Sequence, residues 1–227
     1  MTRWLDPHPV NIPASFSALG LHPLVAQTLI RCGILSLDSA RAFLHPDEIP
    51  STPFPNIAPA VERIQEAIRN SDMICVWGDF DVDGQTSTAL LVQTLQMLNA
   101  NVVYYIPIRG KESHGVHIES LKPIIDNGAK LIVTCDTGIT ANAAVDYANS
   151  RGVDVVITDH HDLGETLPNA KAIINPKLLP KDHPLANLAG VGVAYKLAEA
   201  LFIKSQNTEI ADLLDLVALG LIADVAL

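Results

Sequence analysis

A mostly parallel β-sheet with helices on both faces is the fold this sequence predicts, and three observations predict it. Short, continuous apolar runs alternate with stretches of helical spacing; the runs are rich in β-branched residues; and most of them end in an acid or a histidine. A run that is apolar at every position, rather than at alternate ones, marks a strand buried on both faces, which is the condition of a parallel sheet covered by helices. In such a sheet, ligands gather outside the carboxyl ends of the strands. With 227 residues, 48% of them hydrophobic and only 5% aromatic, the chain can build a sizeable core that is mainly aliphatic.

The elements follow in order. Two short helical patterns, about 22–31 and 37–44, are separated by Cys32-Gly33-Ile34, and prolines punctuate the connector 45–59. Residues 1–55 therefore read as a small helical segment and 56–227 as the main α/β domain. Ala58 to Asn70 has helical spacing, Met73–Trp77 is the first strand, and 85–98 is a helix. Strands follow at Val102–Ile106, Leu131–Cys135 and Val153–Thr158, separated by helices at 117–127 and 140–150. Ala172 to Asn175 adds a short strand, and helices near 190–204 and 209–223 complete the pattern.

Composition excludes several classes. The opening residues contain no apolar signal core, and no apolar run approaches the roughly 20 residues that span a bilayer. Cys32, Cys75 and Cys135 form no CxxC pair, and a reducing, cytoplasmic setting is the expectation. The formal charge of −10 gives no global field to attract nucleic acid. A polyanionic substrate therefore requires bound cations that reverse the sign locally, or a binding surface elsewhere. The apolar ending Asp224-Val-Ala-Leu227 carries no stop signal, so a longer protein is expected.

Chemistry concentrates at the strand ends. Gly78-Asp79-Phe80-Asp81-Val82-Asp83-Gly84 sets three carboxylates at alternate positions, on one face if the segment is extended. Like charges so close need a cation or protons. A solvated acidic loop, with Asp83 capping the helix at 85, is the plainer reading. An EF-hand lacks its closing Glu. Asp81-Val-Asp-Gly-Gln-Thr86 also resembles a haloacid-dehalogenase phosphatase motif, although that pattern does not supply Asp159-His160-His161 after the fourth strand. Adjacent histidines there offer imidazoles for a divalent cation and for phosphate or proton work. Asp136 ends the third strand and can bridge two cations; Asp224 sits in the last, apolar helix, where an unpaired carboxylate is costly. Mixed Asp and His donors suit Mn²⁺ or Mg²⁺, and two such ions activate water and steady a leaving oxygen. Strand two ends instead in Pro107-Ile108-Arg109-Gly110-Lys111, a basic patch on the same rim. Gly190 and Gly192, with Lys196, place a phosphate-binding helix start nearby, with tight helix packing the equal alternative.

The order GDFDVDG, CDTGI, TDHH, NP, LAGVGVAYKLA and ALGLIADV resembles the DHH phosphoesterase superfamily over roughly residues 20–227, and within it the bacterial single-strand-specific 5′→3′ DNA exonucleases of repair and recombination. The resemblance implies a DHH catalytic domain and two Mn²⁺ or Mg²⁺ ions held by Asp81, Asp83, Asp136, His160 and Asp224, with Asp79 close by. It implies that His161, beside Asp159, works at the scissile phosphate, and that Arg109, with His114 near it, meets the substrate. His114 stands where the family usually has an aromatic residue. The family's DHHA1 and oligonucleotide-binding domains, which carry much of the grip on single-stranded DNA and the docking of repair proteins, lie outside residues 1–227. Hydrolysis of oligoribonucleotides, pAp or cyclic dinucleotides is the near alternative. A non-catalytic, Cdc45-like scaffold is the alternative from another class.

Overall fold

The computed structural model describes residues 8–45, 54–205 and 209–225. The chain divides into two compact units, Met1–Thr52 and Pro53–Leu227. In the first, a 3₁₀ turn at Ala14–Leu19 precedes helices α1 (Pro23–Arg31) and α2 (Leu37–Leu44). Both helices start on side-chain caps: the His22 ring accepts from Leu24 N–H, and Ser36 Oγ accepts from Ser39 N–H. Phe16, Ala26, Leu29 and Ala40 form their small core. Most of the proline-rich connector, residues 46–53, lies outside the described residues.

The second unit runs α3 (Ile57–Asn70), β1 (Met73–Trp77), α4 (Val82–Met97), β2 (Asn101–Tyr105), α5 (Ile118–Asp126), β3 (Ala129–Cys135), α6 (Asn142–Ser150), β4 (Asp154–Thr158), β5 (Ala172–Ile174), α7 (Gly190–Ser205) and α8 (Leu214–Asp224). The five strands form one parallel sheet in the order β2-β1-β3-β4-β5. Strand alternation sorts the core into two layers. Ile74, Val76, Leu131, Val133 and Val156 face α3, α4, α7 and α8, while Cys75, Trp77, Ile132, Val155 and Ile157 face α5 and α6. The predicted fold class is therefore the one observed.

Four expected boundaries move by two residues or more, one of them the start of α6, at Asn142 rather than 140. Helix α4 begins at Val82, not at 85, because Asp81 caps it. Strand β3 starts at Ala129, two residues early, where it registers with Met73. The last helical stretch breaks into a 3₁₀ turn, Glu209–Leu213, followed by α8. Helix α4 is buried on most sides, against the sheet and against α7 and α8. Its buried Thr88 and Thr94 hydroxyls donate to the carbonyls of Gly84 and Leu90, so each is satisfied within the helix.

The order β2-β1-β3 reverses the winding direction at β1, so the crevice opens between the carboxyl ends of β1 and β3. The opposite rim is fixed by a buried arginine. Arg63 on α3 donates from Nε to Asp154 Oδ2 (2.5 Å) and from Nη2 to the Lys130 carbonyl (3.3 Å), pinning α3 to the amino ends of β3 and β4.

Candidate metal centre

The loop after β1 is shaped by glycines that cannot be replaced without displacement. A Cβ on Gly78 would stand 1.8 Å from Thr88 Oγ1, and one on Gly84 would stand 2.6 Å from Asp79 Cβ. Between them, Asp79 is buried; its Oδ1 accepts from Phe80 N–H (2.6 Å) and its Oδ2 pairs with His114 Nδ1 (2.8 Å). Asp81 accepts from Gly84 N–H (2.9 Å) as the cap of α4. Asp83 lies inside the first helical turn, buried, and accepts from Gly190 N–H (2.7 Å) and Val191 N–H (2.8 Å) at the start of α7. This corrects two expectations. Asp83 is not the helix cap, and the three carboxylates do not share one extended face. The cap at Asp81 turns the backbone into α4 after the second of them, and this rotates Asp83 towards α7.

Asp136 follows β3 in the left-handed region (φ 59°), and Gly138 follows at φ 110°. Thr134 Oγ1 closes this turn by donating to the Thr137 carbonyl (2.7 Å). Room for the carboxylate comes from Gly190, where a Cβ would stand 2.6 Å from Asp136 Cβ. After β4, Asp159 is buried and saturated: Oδ1 accepts from the N–H groups of His160 (2.7 Å) and His161 (3.1 Å) and faces His161 Nδ1 (2.7 Å), while Oδ2 accepts from Ile139 N–H (2.8 Å). Asp159 thus sets the two-histidine turn from within, and only His161 among its partners reaches outward. Buried Asn175 steadies the same turn by donating to the His161 carbonyl (3.0 Å).

These loops converge on His160. Its Nε2 lies 3.1 Å from Asp136 Oδ1 and 3.8 Å from Asp83 Oδ2, and its Nδ1 lies 3.9 Å from Asp224 Oδ2 at the end of α8. The short approach to Asp136 Oδ1 is not aligned as a hydrogen bond, and that buried oxygen has no hydrogen-bond partner among the described residues. Two donor atoms that face each other at contact distance without bonding have the arrangement of ligands to a shared cation. Two sets of donors lie within 4.8 Å of one another: Asp136 with His160 and His161, and Asp83 with His160 and Asp224. Among the described residues Asp79 and Asp81 belong to neither set.

Electrostatics agree with that arrangement. Burial, then the neighbouring charges of Asp83 and Asp81, push the Asp136 carboxyl up to about 10. Burial also raises Asp83, against the lowering effect of the Val191 and Gly190 N–H groups. Burial would raise Asp159 too, but its bond to His161, the His161 charge and the backbone donors outweigh it, and the carboxyl sits below its usual range. The hydrogen bond to Asp159 in turn raises His161. Asp136 and Asp83 together require protons or a cation, and their oxygen and imidazole donors fit a divalent ion of the Mg²⁺ or Mn²⁺ kind.

The remaining predicted residues are distributed around this centre. Arg109 lies over the Phe80 ring (4.6 Å), and His114 packs against the same ring (4.1 Å) while holding Asp79. The Gly190 N–H is taken by Asp83, so this part of the helix start serves a carboxylate of the site. A Cβ on Gly192 would stand 2.7 Å from Leu188 Cδ2, and Lys196 pairs with Glu199 (2.5 Å). Three contributors went unread in the sequence. In the sequence Phe80 is an apolar residue between two acids, Asn175 closes a short strand ahead of a proline, and Gly220 is one residue in an apolar helix. A Cβ on Gly220 would stand 2.6 Å from Thr86 Oγ1 and 3.0 Å from Asp83 Oδ1, so its absence lets α8 approach α4.

The fold and this cluster are those of a DHH-type domain. The chain belongs to the DHH family: the profile of the DHH family, N-terminal domain, matches residues 73–221. Within the family it is similar to RecJ. It is 44% identical to the single-stranded-DNA-specific exonuclease RecJ of Bacillus subtilis strain 168 over 91% of this chain and 26% of that protein. It is 46% identical to the RecJ of Escherichia coli K12 over 73% of this chain and 31% of that protein. The crystal structure of RecJ from Thermus thermophilus in complex with Mn²⁺ superposes with a TM-score of 0.77 at 32% identity, over 93% of this chain and 30% of that one. The chain thus spans between a quarter and a third of the length of these curated relatives.

Proposed function

We propose that this chain is the DHH catalytic domain of a RecJ-type exonuclease that hydrolyses single-stranded DNA from the 5′ end with two Mn²⁺ or Mg²⁺ ions. The observation that carries the proposal is the buried Asp136 Oδ1, without a hydrogen-bond partner among the described residues, facing His160 Nε2 at 3.1 Å. The RecJ relatives, one of them solved with Mn²⁺, give the reading its substrate and metal. Asp136, His160 and Asp83 would hold the ions from the sheet side, and Asp224 would reach them from α8. When bound, the ions polarise a water and neutralise charge that develops on the phosphate. His161, half-exposed, holds a proton on the ring that Asp159 orients, and it serves the departing oxygen or contacts the phosphate. Arg109 and His114, gathered on Phe80, form the substrate side of the rim.

Residues 1–55 act as a helical appendage to the 56–227 domain in this reading. The enzyme works in the cytoplasm, in keeping with three free cysteines, and alongside other DNA-repair proteins. Among the described residues no helix is long and apolar enough to cross a membrane. The test is Mn²⁺-dependent hydrolysis by the protein and its His160→Ala variant, with 5′-labelled single-stranded DNA, the matching duplex, short RNA, pAp and a cyclic dinucleotide as substrates. Mononucleotides released from single strands by the wild type alone are the expected result. Turnover confined to the small nucleotides would move the protein to another branch of the family, and no turnover would sink the catalytic reading.

A further inference from the structure

Beside the two-histidine turn the surface opens into a cavity of about 590 Å³, lined by Asp162, Leu163, Lys177, Leu179, Lys181 and Asn187 among others. Asp162 and Leu163 follow His161 directly in the chain. The far wall is tied to the same histidine by one side chain: Asn175 donates from Nδ2 to the His161 carbonyl (3.0 Å) and accepts at Oδ1 from Lys177 N–H (2.8 Å). The lysine wall is therefore held in register with the reactive turn, with buried Asn175 and Pro176 as its footing.

Two lysines give this cavity its positive charge; other cations, Lys130 and Lys171 among them, are likewise without an ion-pair partner among the described residues. Lys122, Arg151, Lys196 and Arg63 are each paired with a carboxylate. Among the described residues Lys177 and Lys181 have no ion-pair partner, although Asp162 lines the same cavity. Two exposed ammonium groups against the one carboxylate of Asp162 leave the lining net positive in a chain of net charge −10. The same lining includes Leu163, more than a third exposed, and half-buried Leu179. Apolar walls with two cations and one amide suit a nucleotide unit, with the base and sugar against leucine and the phosphates on lysine. A free mononucleotide at the metal centre has no second phosphate to offer this cavity, whereas a continuous strand does.

We infer that this cavity binds the nucleotide unit adjoining the scissile phosphate, with Lys177 and Lys181 on the backbone phosphates, and so favours strands over mononucleotides. The inference rests on the phosphodiesterase reading above. Its test compares the charge-reversing pair Lys177→Glu/Lys181→Glu with Lys130→Glu/Lys171→Glu, which makes the same charge change on exposed residues at the opposite rim of the sheet. Affinity for a short 3′-fluorescein phosphorothioate oligodeoxynucleotide is measured across a salt series with Mn²⁺ present. The 177/181 pair weakens binding by roughly tenfold or more and lowers the salt slope by about 1–2, while the 130/171 pair stays within about threefold. Lys177→Arg/Lys181→Arg restores binding. In turnover assays, the loss on the all-phosphodiester form of the oligonucleotide exceeds any loss on bis(p-nitrophenyl) phosphate by about tenfold. Equal losses from the two charge-reversing pairs, or none from the 177/181 pair, overturn the inference. A wild-type protein that binds the oligonucleotide but hydrolyses neither substrate indicts the phosphodiesterase reading instead, because the binding comparison does not depend on turnover.

Discussion

Asp136 combines three unfavourable conditions: a left-handed backbone, near-complete burial and a carboxylate oxygen with no hydrogen-bond partner among the described residues. For a non-glycine residue that backbone costs about 1–2 kcal/mol. Its carboxyl titrates far higher in the folded protein than in the unfolded chain. Without metal, the folded state keeps a proton that the unfolded chain has released, so stability falls as pH rises from the usual aspartate range towards about 10. Asp83, also raised by burial, acts in the same direction. Asp136→Asn should therefore stabilise the chelator-treated protein at neutral pH by a few kcal/mol. It should also flatten the pH dependence of its melting temperature and abolish the rise in melting temperature caused by Mn²⁺. Thermal melts from acid to alkaline pH, with and without Mn²⁺, check all three. Asp159 acts through His161, so Asp159→Asn should return the His161 pKa towards its ordinary value, read by NMR titration of the metal-free protein. The same change should lower turnover by about 10–100-fold.

Helices α7 and α8 bring the site together by lacking side-chain atoms. Gly190 admits the Asp136 carboxylate and Gly220 lets α8 lie against Thr86 and Asp83. Alanine at an exposed helical glycine usually gains up to about 1 kcal/mol, but Gly220→Ala should reverse that sign. The overpacking should cost about 1–3 kcal/mol and pull Asp224 away from His160, weakening Mn²⁺ binding by calorimetry more than it lowers the melting temperature. A melting temperature at or above wild type would refute this account of α8. These contacts also mark what the sequence could and could not reveal. The strands of the parallel sheet were legible because both faces are buried, and Asp136 and His160 were legible because they follow those strands directly. The start of α4 is hidden in the sequence because alternating acids look extended, and only the capping bond of Asp81 to Gly84 shows that the helix has begun. Gly220, Asn175 and Arg63 act across more than a hundred, 14 and 91 residues of chain respectively, and no local pattern carries such pairings.

At the scale of the whole molecule, the donors to the proposed metal centre come from four separate stretches of the domain: α4, the turns after β3 and β4, and α8. A cation that binds only when all four are in place should stabilise the whole domain, by RT ln(1 + [L]/Kd). Millimolar Mn²⁺ should raise the melting temperature of the chelator-treated protein by several degrees, and the rise should shrink in His160→Ala. Beneath this junction lies Cys135, fully buried one residue before Asp136, its thiol raised by burial and facing Thr88 across the gap between β3 and α4. A thiol so placed is shielded from any alkylating reagent while the domain is closed. The rate at which such a reagent labels Cys135 therefore counts how often the floor of the site comes apart, and the slowing of that clock by Mn²⁺ would express the grip of the ion as a waiting time.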